Sequence, residues 1–143
     1  HAQGFALSCS LLKIKGPVFM PVTTPKQKVN SVARLGKQYV DIVLHGDTYD
    51  DAKSAALKYV QKENKIFVPP FDHPLIIEGQ GTVAVEILEQ MGKEKIDYLF
   101  APIGGGGLAA GLITYFKEVS PHTKIIGVEP KGAPAMQESI ARK

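Results

Sequence analysis

The residues from Ala101 to Gly111 read Ala-Pro-Ile-Gly-Gly-Gly-Gly-Leu-Ala-Ala-Gly, with four consecutive glycines at 104–107. Glycine loses more conformational freedom on folding than any other residue, so such a run implies that a bare backbone is needed there. The chemistry it supports is anion binding, because main-chain N–H groups can converge with no side chains in the way. A helix starting just after the run would aim its unsatisfied N–H groups and positive dipole end at the same point. The anion expected is a phosphate, and its identity stays open on these residues. Gly104-x-Gly106-x-x-Ala109 satisfies a loose dinucleotide fingerprint, with Glu129 after the next predicted strand as a ribose-binding acid. Four successive glycines also suit a cup around a compact phosphate group. A nucleotide P-loop is excluded, since no Lys-Ser/Thr pair follows the glycines.

The remaining candidates carry less. Cys9 is the single cysteine and lies in an apolar run with Phe5, Ala6, Leu7, Leu11 and Leu12. A small buried hydrophobe is expected there rather than a nucleophile. Asp72 and His73 stand beside prolines, where they could line a cleft or cap a turn; Glu78 could face a site or sit in the first turn of a helix. His45 and His122 have no partner at ligand spacing and read as surface histidines.

Alternating strands and helices must position these groups. Helical spacing runs over 2–12, ending near Gly16, and Val18–Met20 is a strand stopped by Pro21. Thr23-Thr24-Pro25 predicts an N-cap and first-turn proline for a helix over 26–35 that Gly36 ends. Tyr39–Leu44 is strand-like, and Asp47-Thr48 caps a helix over 49–62. Ile66–Val68 is expected as a further strand before Pro69-Pro70. Beyond it come a helix over 76–91, a strand over 98–101, a helix over 108–119, a strand over 125–128 and a last helix after Gly132. This grammar predicts an α/β fold with parallel sheets covered by helices on both faces. The proline-flanked stretch 68–74 is the expected boundary between two such parts, over 1–70 and 71–143.

The 143 residues carry 17 Lys and Arg against 14 Asp and Glu, a net charge of +3, with the lysines scattered. A nucleic-acid partner is therefore not expected. One cysteine suits a reducing compartment. No apolar run approaches membrane-spanning length, and no secretory leader is visible, so a cytoplasmic protein without a membrane partner is expected. The opening at His1, already inside a predicted helix, leads us to expect an internal segment of a longer protein.

Three segments in order, His1-Ala2-Gln3-Gly4, Phe71-Asp72-His73-Pro74 leading into Glu78-Gly79-Gln80-Gly81-Thr82, and Pro102-Ile103 with the glycines and Leu108, resemble one family. It is the pyridoxal-phosphate enzymes of the tryptophan-synthase-β fold type, here most similar to the threonine ammonia-lyases (threonine deaminases). Met20-Pro-Val-Thr-Thr-Pro-Lys-Gln-Lys-Val29 looks like the biosynthetic form. The resemblance spans essentially the whole chain, and the glycine run is shared with serine racemases and serine dehydratases.

The resemblance implies that Gly104, Gly105, Gly106, Gly107 and Leu108 hold the phosphate of pyridoxal 5'-phosphate, and that His1, Ala2 and Gln3 belong to a loop holding the substrate carboxylate. It implies that residues 1–70 are part of a small N-terminal domain and 71–143 part of a large cofactor-binding domain. The family's Schiff-base lysine has a sequence context that no lysine here shares, so no catalytic residue is expected in this chain and the segment alone should be inert. The parent activity implied is β-elimination on L-threonine, giving 2-oxobutanoate and ammonia for isoleucine biosynthesis, in a homo-oligomer (tetramer or dimer). Glu129 with Ala133 is similar to a divalent-metal site of the serine racemase branch, but the further acidic ligand of that site falls where this chain has Ala135, so no metal is expected.

Overall fold

A computed structural model describes residues 1–142 as two compact units, His1–Val68 and Pro69–Lys143. Each is a parallel strand pair joined through a helical crossover, as short parallel strands require.

In the first unit, α1 (Ala2–Leu12) precedes β1 (Gly16–Met20), α2 (Lys26–Gly36), a 3₁₀ turn (Lys37–Tyr39), β2 (Val40–Leu44) and α3 (Tyr49–Glu63). The strands pair in register from Gly16 with Val40 to Met20 with Leu44. Successive strand residues point to opposite faces. Val18 and Met20 are buried in a core with Ala6 and Cys9 of α1, Val32 of α2 and Val40 of β2. Phe19, between them, meets Tyr59 of α3 with ring centroids 5.6 Å apart. Helix α1 closes at Lys13, whose φ of 57° gives a left-handed turn, rather than at Gly16, which opens β1.

Two local expectations in this unit fail. Neither Thr23 nor Thr24 caps α2: Pro25 occupies the cap position without a side-chain bond. The Thr23 hydroxyl instead donates to the Asp47 carbonyl at 3.0 Å and joins two loops. Ile66–Val68 forms no strand, and Ile66 is 90% exposed. An apolar triplet becomes a strand only with a partner, and the two prolines that follow have no N–H to extend a ladder. By contrast Thr48 caps α3 as expected. Its hydroxyl accepts from the Asp51 N–H at 3.2 Å, while the Asp51 carboxylate accepts from Thr48, completing a reciprocal capping box.

The second unit runs α4 (Pro74–Met91), β3 (Tyr98–Pro102), α5 (Gly107–Val119), β4 (Lys124–Val128) and α6 (Ala135–Ala141). Strands β3 and β4 pair in register from Tyr98 with Lys124 to Pro102 with Val128. Ala84, Ala101, Ala109, Leu112 and Phe116 form its buried core, with Leu99 and Ile125 packed against them. The alternate residues Tyr98 and Phe100 are exposed. Helices α4 and α5 cross very closely: a Cβ at Gly111 would lie 2.6 Å from both the Gly81 nitrogen and the Ile77 carbonyl oxygen. Pro74 starts α4 at its first position, where a missing N–H costs nothing. Glu78 therefore falls beyond the first turn, where it was also a candidate, and is exposed. No helix among the described residues is long and apolar enough to cross a membrane.

Candidate functional site

The glycine run lies between β3 and α5, where the chain must leave a strand and enter a helix within a few residues. The Ile103 N–H donates to the Val128 carbonyl at 2.9 Å and so ends the sheet at the loop's entrance. Gly106 takes the N-cap position of α5 with φ of +88°, a left-handed conformation that side chains resist. It has no side chain to accept from the helix's first N–H groups, as Ser, Thr or Asp would. None of the backbone N–H groups from Gly104 to Ala109 has a hydrogen-bond partner among the described residues.

Helix geometry leaves the leading N–H groups without partners, and the dipole places about half a positive charge at their end. No acidic residue lies in the first turn of α5, so that charge is uncompensated. The turn that leads into α4, whose first helical turn has no acid either, approaches the start of α5: a Cβ at Gly107 would lie 2.9 Å from the Phe71 carbonyl oxygen. Gly104 and Gly105 are exposed, Gly107 is buried, and the half-buried Leu108 turns its side chain into the core cluster. The loop thus presents main-chain donors and bare glycine backbone to an anion. Gly104 has nothing within 4 Å of where a Cβ would stand, so space there is open. A phosphate group fits this donor set and charge.

The other predicted residues fall as follows. His1 is the exposed N-cap of α1 without a side-chain bond, and its carbonyl accepts from the Phe5 N–H at 2.9 Å. Ala2 packs on the core of the first unit, and Gln3 is exposed. These three belong to the first unit and the glycine loop to the second. Asp72 is exposed. His73 is the N-cap of α4, its Nδ1 accepting from the Leu75 N–H at 3.3 Å, so of its two readings the capping one is realised. Cys9 is buried, and burial pushes its thiol above the ordinary range, which disfavours the nucleophilic thiolate. All lysines from Lys13 to Lys131 are exposed. His45 and His122 are exposed as well.

Glu129 has a role that its position at a strand end did not reveal. Its two carboxylate oxygens accept from the Met136 and Gln137 N–H groups, each at 2.9 Å, capping the start of α6. The dinucleotide alternative needed this acid free for a ribose, and both its oxygens are engaged. Capping by an acid seven residues upstream has no local sequence signature. A hollow at the C-terminal ends of α4 and α5, between Leu88, Ile96, Val119 and His122, contains none of the predicted site residues.

The family described as pyridoxal-phosphate dependent enzyme matches residues 1–143. The chain is 54% identical over 140 residues to the biosynthetic L-threonine dehydratase IlvA of Halalkalibacterium halodurans, covering 98% of this chain and 34% of that relative. Its fold superposes with a TM-score of 0.87 on the processed form of threonine deaminase isoform 2 from Solanum lycopersicum, at 46% identity, covering 99% of this chain and 38% of that one. Maize serine racemase gives a TM-score of 0.89 at 30% identity, with 99% of this chain and 42% of that one covered. The chain thus spans between about a fifth and a third of the length of the curated relatives it matches. With the parallel α/β fold and the family match over residues 1–143 in agreement, this chain belongs to the pyridoxal-phosphate dependent enzyme family.

Proposed function

We propose that this chain is the phosphate-binding portion, and part of the substrate-carboxylate loop, of a threonine ammonia-lyase that converts L-threonine to 2-oxobutanoate and ammonia by β-elimination, in isoleucine biosynthesis. The observation that carries this reading is the 51–54% identity to threonine dehydratases across 98% of the chain, well above the 30% identity to maize serine racemase. The first unit is read as part of a small domain and the second as part of a large cofactor domain. A homo-oligomeric protein in the cytoplasm, acting on a small amino acid, completes the proposal.

In this reading the unpaired N–H groups of Gly104 to Leu108 hold the cofactor phosphate. They are fixed before the ligand arrives, so the phosphate is oriented without reordering the chain at the moment of binding. The α5 dipole supplies attraction that a neutral loop lacks. His1, Ala2 and Gln3, at another helix start without a first-turn acid, would orient the substrate carboxylate by the same physics. When bound, pyridoxal phosphate supplies an electron sink for the carbanion formed at the substrate α-carbon. The proton-abstracting lysine is assigned to the protein outside this chain, since the lysines described here are all exposed to solvent and none lies in a built site.

The test is 2-oxoacid release by the full-length protein supplied with pyridoxal phosphate and either L-threonine or L-serine. Preferential 2-oxobutanoate formation is expected. Racemisation of serine without 2-oxobutanoate release would overturn the assignment.

A further inference from the structure

The four glycines are not equivalent, and the differences trace to one side chain. A Cβ at Gly105 would run into the Phe71 ring, meeting Cδ2 at 2.6 Å and nearer ring atoms besides. A Cβ at Gly107 would meet the Phe71 carbonyl oxygen at 2.9 Å, its Cα at 3.1 Å and its Cβ at 3.2 Å. Gly106 is glycine for its φ of +88°, and Gly104 alone has nothing near it. The loop therefore lies against Phe71 on two of its four residues.

Phe71 is itself held. Its carbonyl accepts from the His73 N–H at 3.2 Å, in the turn that His73 closes by accepting from the Leu75 N–H. Pro74 then fixes the start of α4, and α4 is locked to α5 at Gly81 and Gly111. The path from the α4–α5 crossing through this turn to Phe71 ends on the glycine loop.

We propose that Phe71 is the positioning residue of the phosphate loop: its ring and backbone fill the space beneath Gly105 and Gly107 and hold the loop's N–H groups ready for the phosphate. This rests on the phosphate reading of the loop given above. Without the ring, the most permissive backbone in the chain has nothing to lie on, and phosphate binding must order it. Ordering a single residue costs about 1–2 kcal/mol, which is of order tenfold in affinity.

The experiment uses the full-length protein freed of cofactor and equilibrium dialysis against pyridoxal 5'-phosphate and, separately, pyridoxal. The wild-type protein should prefer the phosphorylated form. Phe71→Ala should lower affinity for pyridoxal 5'-phosphate roughly tenfold or more while leaving affinity for pyridoxal within about twofold. Phe71→Tyr, which keeps the ring, should restore the preference. Gly105→Ala should also weaken phosphate binding, and by less in the Phe71→Ala background, where the methyl finds room. A folded Phe71→Ala protein with an unchanged preference overturns the proposal, as does an equal loss for both ligands. Should Phe71→Ala not fold, Phe71→Leu carries the same comparison. A wild-type protein without any preference for the phosphorylated form overturns the loop reading itself, a result distinct from the failure of Phe71 alone.

Discussion

The same substitution, glycine to alanine, should change stability in opposite directions at two helical positions of the second unit. In an open helix the change is favourable by about 0.5–1 kcal/mol, because alanine has less backbone entropy to lose. Gly79, in α4, has nothing within 4 Å of its missing Cβ, so Gly79→Ala should stabilise the unit by that amount. Gly111, in α5, has the Gly81 nitrogen and the Ile77 carbonyl oxygen 2.6 Å from where its Cβ would stand, and the Gln80 carbonyl carbon at 2.9 Å. Ordinary carbon contacts lie at about 3.5–4.0 Å, so α4 and α5 must separate by roughly 1 Å. The obstructing atoms are backbone and cannot rotate away. Overpacking of this kind costs about 1–3 kcal/mol. Set against the alanine gain, Gly111→Ala should destabilise by about 1–2 kcal/mol, lowering the melting temperature by roughly 5–15 °C for a unit of this size. Thermal unfolding by circular dichroism measures the shift, and hydrogen exchange at the Leu112 and Phe116 amides assigns it to α5. Stabilisation of both variants alike would refute the close crossing that positions Phe71 and the glycine loop.

Other outcomes follow from single residues. Phe116, 1% exposed in the second core, should cost about 3–5 kcal/mol on truncation to alanine, read by urea unfolding. The Thr48 hydroxyl donating to Asp51 at 2.7 Å, with the Thr48 and Asp47 N–H groups, holds the Asp51 carboxyl below the usual carboxylate range. Because the folded value is depressed, this contribution is present above the unfolded pKa and lost as pH falls through the folded one. An NMR titration should show Asp51 protonating below about pH 3.8, and Thr48→Ala should move it back up. Cys9, buried and with its thiol pushed up, should resist alkylation at neutral pH until the first unit unfolds; fast labelling of the folded chain would contradict its burial.

Local signals were legible where the physics is local. Asp47-Thr48 announced a cap because a hydroxyl and a first-turn acid satisfy each other within four residues. Helices α3, α4 and α5 fall close to their expected bounds, since side-chain periodicity over a dozen residues leaves little choice. The glycine loop was placed correctly between strand and helix for the same reason. What the chain did not disclose depends on distant partners. Ile66–Val68 has strand composition but no strand beside it. The Thr23 hydroxyl prefers the Asp47 carbonyl, 24 residues away, to a helix end next door. Glu129 could be weighed as a ribose or metal acid because nothing nearby shows that α6 would turn back onto it. The contact of Phe71 with Gly105 and Gly107 joins segments more than thirty residues apart, so the reason for two of the four glycines is visible only in three dimensions.

The central claim, that Gly104 to Leu108 form a phosphate cradle, is tested most directly at those amides. In the full-length protein labelled with ¹⁵N-glycine and ¹⁵N-leucine, addition of pyridoxal 5'-phosphate should shift the Gly104, Gly105, Gly106, Gly107 and Leu108 amide resonances. The same concentration of pyridoxal should leave them in place. Saturating pyridoxal 5'-phosphate with those five resonances unmoved would contradict the account.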